Sequence, residues 1–159
     1  MSRFNTIDSQ IMAALSKEAR SAPRRRKNFN LHTDDSALCH RLLNAVEPES
    51  YIPPHRHLSL HKAETIIVLA GRIGVLCFDE TGLVTMSRIL APNSGTLGVD
   101  IPAGVIHSVV ALEPGSVFFE SKAGPYLPLM PEEKVSWAPI EDTVEAHDYL
   151  NKMRSCFQP

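Results

Sequence analysis

Cysteine is scarce and unpatterned. Cys39, Cys77 and Cys156 are scattered, odd in number and never form a Cys-x-x-Cys pair. That spacing argues against a disulfide framework and against a cysteine zinc site. The three read as reduced thiols of a cytoplasmic protein. Long apolar runs are missing too. The longest, Ile66 to Ala70, is far too short to cross a bilayer as a helix. The first 20 residues lack the basic-then-apolar layout of a secretion signal. Nor does one sign of charge dominate. Sixteen Lys and Arg against 18 Asp and Glu leave a formal net charge of −2. The chain as a whole therefore has no electrostatic reason to bind nucleic acid or a membrane. No βαβ alternation, internal repeat or low-complexity tract is visible, which removes the doubly wound and solenoid classes.

What is present suits a single domain. At 159 residues with 43% hydrophobic content, the chain can bury an ordinary core. Residues 1–20 read as a helix, with Ile11, Met12 and Leu15 at helical spacing and Asp8 or Ser9 as the cap. Arg24-Arg25-Arg26-Lys27 is the one dense charge run. It reads first as a solvated, flexible connector, and second as an arm that meets a phosphate-bearing ligand. The apolar segment from Ala37 to Val46 fits a helical turn or a strand equally well. From residue 50 short β-rich runs alternate with turns. The runs are Thr65–Ala70, Ile73–Phe78, Leu83–Leu90, Leu97–Ile101, Val105–Leu112 and Ser116–Ser121. Many short strands at such spacing predict an antiparallel sandwich or barrel. The proline-rich stretch 124–140 reads as an irregular crossing anchored by Trp137, and Glu141 to Met153 as a terminal helix. The expected division is a packing segment at 1–48, the barrel at 49–123 and a loop and helix at 124–159, all in one domain.

Two pieces carry chemistry. Ser50 to Gly71 reads S-Y-I-P-P-H-R-H-L-S-L-H-K-A-E-T-I-I-V-L-A-G. In a strand, His55 and His57 would face the same way, and two imidazoles meeting a carboxylate make a divalent-metal site. Further on, Pro102-Ala103-Gly104-Val105-Ile106-His107 is a tight turn leading into a strand. His32 and His40 are further ligand candidates, but neither has a partner at ligand spacing, and both read first as ordinary surface or packing histidines.

Together these pieces resemble the cupin superfamily. His55-Arg56-His57, Glu64 and Gly71 fit its first motif, and Pro102 to His107 fit its Pro-x-Gly-x-x-His second motif. The gap from His57 to Glu64 is longer than usual, and His61 stands where the acid normally comes, so His61 competes with Glu64 for the fourth ligand place. The match of Glu64 to Gly71 favours Glu64. The resemblance is closest to the WbuC-type cupin metalloproteins, through N-F-N-L-H (28–32), R-L-L-N-A (41–45), S-Y-I-P-P-H-R-H (50–57), E-T-I-I-V-L-A-G (64–71), E-S-K-A-G-P-Y-L-P (120–128) and W-A-P-I-E (137–141). It implies a mainly β fold, a single double-stranded jelly-roll barrel with short helices at both ends, and one divalent transition metal, iron, zinc, nickel or manganese, held by His55, His57, Glu64 and His107. It also implies a bacterial surface-polysaccharide setting and a cytoplasmic homodimer.

Three histidines and one glutamate leave about two positions of an octahedral ion open. Such a site polarises a carbonyl or orients a diol. The expected substrate is a small sugar-derived molecule, isomerised or epimerised beside a carbonyl. A non-catalytic sugar-binding or regulatory role and an iron-dependent dioxygenase are the alternatives. His61 and Tyr126 are the expected acid–base residues. Tyr51, Glu120 and Lys122 are further candidates, with packing or a solvent-facing pair as their plainer roles.

Overall fold

The structure, a computed structural model, describes residues 6–158. Helix α1 runs from Ser9 to Ser21. The Asp8 carboxylate caps it, accepting the N–H groups of Gln10 and Ile11, both at 3.0 Å. Eight strands follow: β1 (Arg26–Asn30), β2 (Cys39–Val46), β3 (Glu64–Ala70), β4 (Ile73–Phe78), β5 (Val84–Leu90), β6 (Gly98–Ile101), β7 (Ile106–Ala111) and β8 (Ser116–Ala123). Helix α2 closes the series at Val144–Ser155, capped by the Thr143 hydroxyl.

The strands form two antiparallel sheets, ordered β1-β2-β8-β3-β6 and β5-β4-β7. Between them lie Ile66 and Val68 of β3, Ile73 and Val75 of β4, Val109 of β7 and Phe118 of β8. Outside the five-stranded sheet, Leu15 and Ala19 of α1 cover Leu43, Ala45 and Val117. Outside the three-stranded sheet, Ala146, Leu150 and Met153 of α2 cover Leu76, Phe78, Ile106 and Val110. Both sheets are thus covered on both faces, and each fully buried aliphatic side chain contributes about 1.5–3 kcal/mol. The mainly β barrel with a short helix at each end is the architecture expected from the spacing of the runs.

Two readings of the N-terminal third change. The segment left open between helix and strand is β2, an inner strand between β1 and β8. Its Leu43 and Ala45 point outward beneath α1 while Val46 points inward. The barrel sheet therefore begins at Arg26, ahead of residue 49. The basic run is not a loose connector either. Arg26 opens β1, and Arg24 and Arg26 clasp Glu141 at 2.9 and 2.5 Å.

Candidate metal centre

Three elements bring four side chains together at one end of the inter-sheet core. Glu64 opens β3 and His107 lies on β7, facing the core like Val109 beyond it. His55 and His57 come from the extended segment between β2 and β3. That segment is no regular strand, because Pro53 and Pro54 carry no N–H for a ladder. It is pinned at single points: His55 and His107 exchange backbone bonds of 3.1 and 2.9 Å, the N–H of Gly104 reaches the His57 carbonyl at 2.8 Å, and the N–H of Leu58 reaches the Glu133 carboxylate at 2.9 Å.

One ligand atom from each of His55, His57, Glu64 and His107 lies within 4.8 Å of the others. Opposed ligands at metal bonds of about 2.1 Å stand about 4.2 Å apart. The tautomers follow from the partners, since a backbone carbonyl only accepts. Nδ1 of His55 donates to the Pro53 carbonyl at 3.0 Å, and Nδ1 of His107 donates to the Val105 carbonyl at 2.9 Å. In their neutral forms both rings turn a bare Nε2 inward. Nε2 of His107 then stands 3.0 Å from Oε2 of Glu64, lone pair against lone pair unless a proton or a cation lies between. Nε2 of His57, 3.7 Å from the same oxygen, is buried without a hydrogen-bond partner. These orphaned donor atoms fit a divalent metal ion.

The electrostatics agree. Burial, then the neighbouring His107, push His55 down to about 4, so it stays neutral and able to ligate at neutral pH. Burial alone would raise Glu64, but the imidazoles of His107 and His57 and the Lys122 ammonium outweigh it and hold the carboxyl well below its usual range. Burial also opposes the Lys122 charge, and Glu120 and Glu64 overcome it, raising Lys122 above the ordinary lysine value. Glu120, pressed by burial and by the Glu64 charge, is pushed up to about 8.

A cavity of about 220 Å³ lies over the cluster, lined by His55 and His57 and also by His40, Lys62, Lys122 and Tyr126. The expected acid–base pair separates here. Tyr126 lines the cavity and is 57% exposed. His61 sits exposed on the turn at residues 59–62, outside the four-residue cluster, while Glu64 stands within it. The lengthened loop delivers Lys62, not His61, to the cavity wall. Tyr51 is a packing residue, its hydroxyl donating to the Pro139 carbonyl at 3.0 Å beneath α2. Glu120 and Lys122 are not a solvent-facing pair. They point inward, with Lys122 Nζ 2.9 Å from Glu64 and 2.7 Å from Glu120. His40 is buried and stacked on His32, their ring centroids 4.0 Å apart.

The family described as Domain of unknown function (DUF6016) matches residues 7–90, just over half of the chain. The chain belongs to that family. The matched region runs from α1 through β5 and holds His55, His57 and Glu64, while His107 lies beyond it. No curated protein matches the chain. Among solved structures it is similar to KdgF from Halomonas sp., at 17% identity and a TM-score of 0.51, covering 65% of this chain and 82% of that one. It is also similar to the conserved SPY1581 protein of unknown function from Streptococcus pyogenes, at 11% identity and 0.53, covering 80% and 93%. A third is protein SO0799 from Shewanella oneidensis, at 13% identity and 0.51, covering 63% and 68%. The likeness is one of fold: a mainly β architecture of two antiparallel sheets. Among the described residues no helix is long and apolar enough to cross a membrane.

Proposed function

We propose that the chain is a metal-dependent enzyme acting on a sugar or nucleotide sugar, by isomerisation or epimerisation at a carbon beside a carbonyl. The observation that carries this reading is the convergence of four ligand atoms, Nε2 of His57 among them without a partner, under a cavity whose wall joins Lys62 and Lys122 to apolar side chains. His55, His57, Glu64 and His107 would hold one divalent transition metal. When bound, that ion supplies Lewis-acid polarisation of a carbonyl or diol oxygen. The chain's own residues bind and orient the substrate. Lys62 and Lys122 present positive charge on the cavity wall, and the Tyr126 phenol at the mouth is the better placed of the two expected acid–base groups. His61 would have to swing in from its exposed turn to take part. The WbuC-type motifs spread over residues 28–141 support a place in bacterial surface-polysaccharide biosynthesis.

The test is a panel of nucleotide sugars incubated with metal-loaded protein. Formation of an isomer or epimer, lost in His57→Ala, is the expected result. Ligand-induced thermal stabilisation without turnover would make the protein a metal-dependent sugar-binding protein instead. Oxygen uptake lost in His55→Ala would redirect the reading to dioxygenase chemistry.

A further inference from the structure

The inner face of β8 carries an arrangement that the four ligands do not account for. Glu64 and Lys122 are cross-strand partners, and Glu120 lies two residues before Lys122 on the same face of β8. Lys122 Nζ donates to Oε1 of Glu64 at 2.9 Å and to Oε1 of Glu120 at 2.7 Å. The other oxygen of Glu120 accepts from the Asn44 amide at 2.8 Å. The other oxygen of Glu64 faces His107 and His57. The two oxygens of Glu64 are thus divided, one turned to the histidines and one held by an ammonium. The same ammonium stands between Glu64 and a second buried carboxylate.

Carboxylates bind hard divalent ions through one oxygen or two, whichever the surroundings allow. Here both Oε1 atoms are committed to Lys122. We propose that Lys122 is a positioning residue that sets the number of protein ligands: it keeps Glu64 to one-oxygen binding and holds Glu120 off the ion. The cavity-facing positions then stay open for substrate. This rests on the reading that the cluster holds a divalent metal. The alternative, a salt bridge serving only the fold, predicts no change in coordination when Lys122 is replaced.

The experiment loads the protein with Mn(II) and reads the water-proton relaxivity and the electron paramagnetic resonance spectrum per bound manganese. Each coordinated water displaced by a carboxylate oxygen lowers the relaxivity. In Lys122→Met at full occupancy, relaxivity is expected to fall to roughly half of wild type, as one of about two open positions is filled. The spectrum should change with it. Lys122→Arg, which keeps a cation with donors for both carboxylates, restores both signals. Should Lys122→Met fail to fold, the double variant Glu120→Gln/Lys122→Met removes the buried charges together. Glu64, freed, still lowers the relaxivity there. Wild-type relaxivity and spectrum in either folded, fully loaded variant overturn the proposal. A wild-type protein that takes up no manganese is a separate outcome, in which the metal-site reading fails and takes this inference with it.

Discussion

His55 is held neutral by burial, its pKa down from 6.5 to about 4 in the metal-free protein. A group that binds protons more tightly when unfolded destabilises the fold as pH falls. Its stabilisation is complete above about pH 6.5 and is lost progressively toward about pH 4. The size is on the order of 3 kcal/mol. Glu120, raised to about 8, acts in the opposite direction over the same range, so the contribution of His55 is read as a difference: in urea unfolding of metal-free protein between pH 7.5 and 5, wild type should lose stability relative to His55→Gln as pH falls. Equal slopes for the two proteins would contradict this account of His55. The four clustered residues were legible as a group in the sequence, because motif spacing names residues without knowing their contacts. Lys122 and Glu120 were not. On β8 both parities are apolar, Val117 and Phe119 under α1 and Phe118 against the inner core, so alternation does not say which way the charged residues turn.

Turns and loops decide where the clustered side chains stand. Gly71 links β3 to β4 at φ +71°, and a Cβ there would lie 2.5 Å from the Ser116 hydroxyl oxygen and 2.7 Å from the Ser116 Cα. Gly71→Ala adds a backbone clash to left-handed strain and is expected to cost about 2 kcal/mol or more. Gly95 has φ +81° with nothing within 4 Å, so Gly95→Ala carries the strain alone, about 1 kcal/mol. Thermal unfolding should rank them in that order, and an equal or reversed ranking would remove the role given to Ser116. At this scale most of the strands from β3 to β8 could be read from apolar runs bounded by Gly, Pro and Asp. The segment from Ala37 to Val46 could not, because a strand covered on both faces shows no clean alternation. The turn carrying His61 points out of the site for a reason sequence spacing does not encode: the Lys62 N–H closes onto the Ser59 carbonyl at 2.9 Å.

Across the whole molecule, the two ends of the chain are tied over the barrel. Arg24 and Arg26 from the N-terminal side meet Glu141, just ahead of α2, and Arg26 also donates to the Tyr51 carbonyl at 2.9 Å. Glu141→Gln leaves two guanidinium groups without their carboxylate, one of them largely buried. It should cost about 1–3 kcal/mol in urea unfolding while leaving metal content unchanged. Loss of metal along with stability would mean that the clasp supports the site as well as the fold. Such long-range pairing is not visible in a sequence, where Arg24 to Lys27 reads only as a run of charge.

The most direct test of the central claim is metal analysis by mass spectrometry on tag-free protein, wild type beside His57→Ala. The account predicts near-stoichiometric divalent transition metal in the wild type and its loss in the variant. A wild type that holds no metal even after reloading, or a variant that holds as much as wild type, would contradict it.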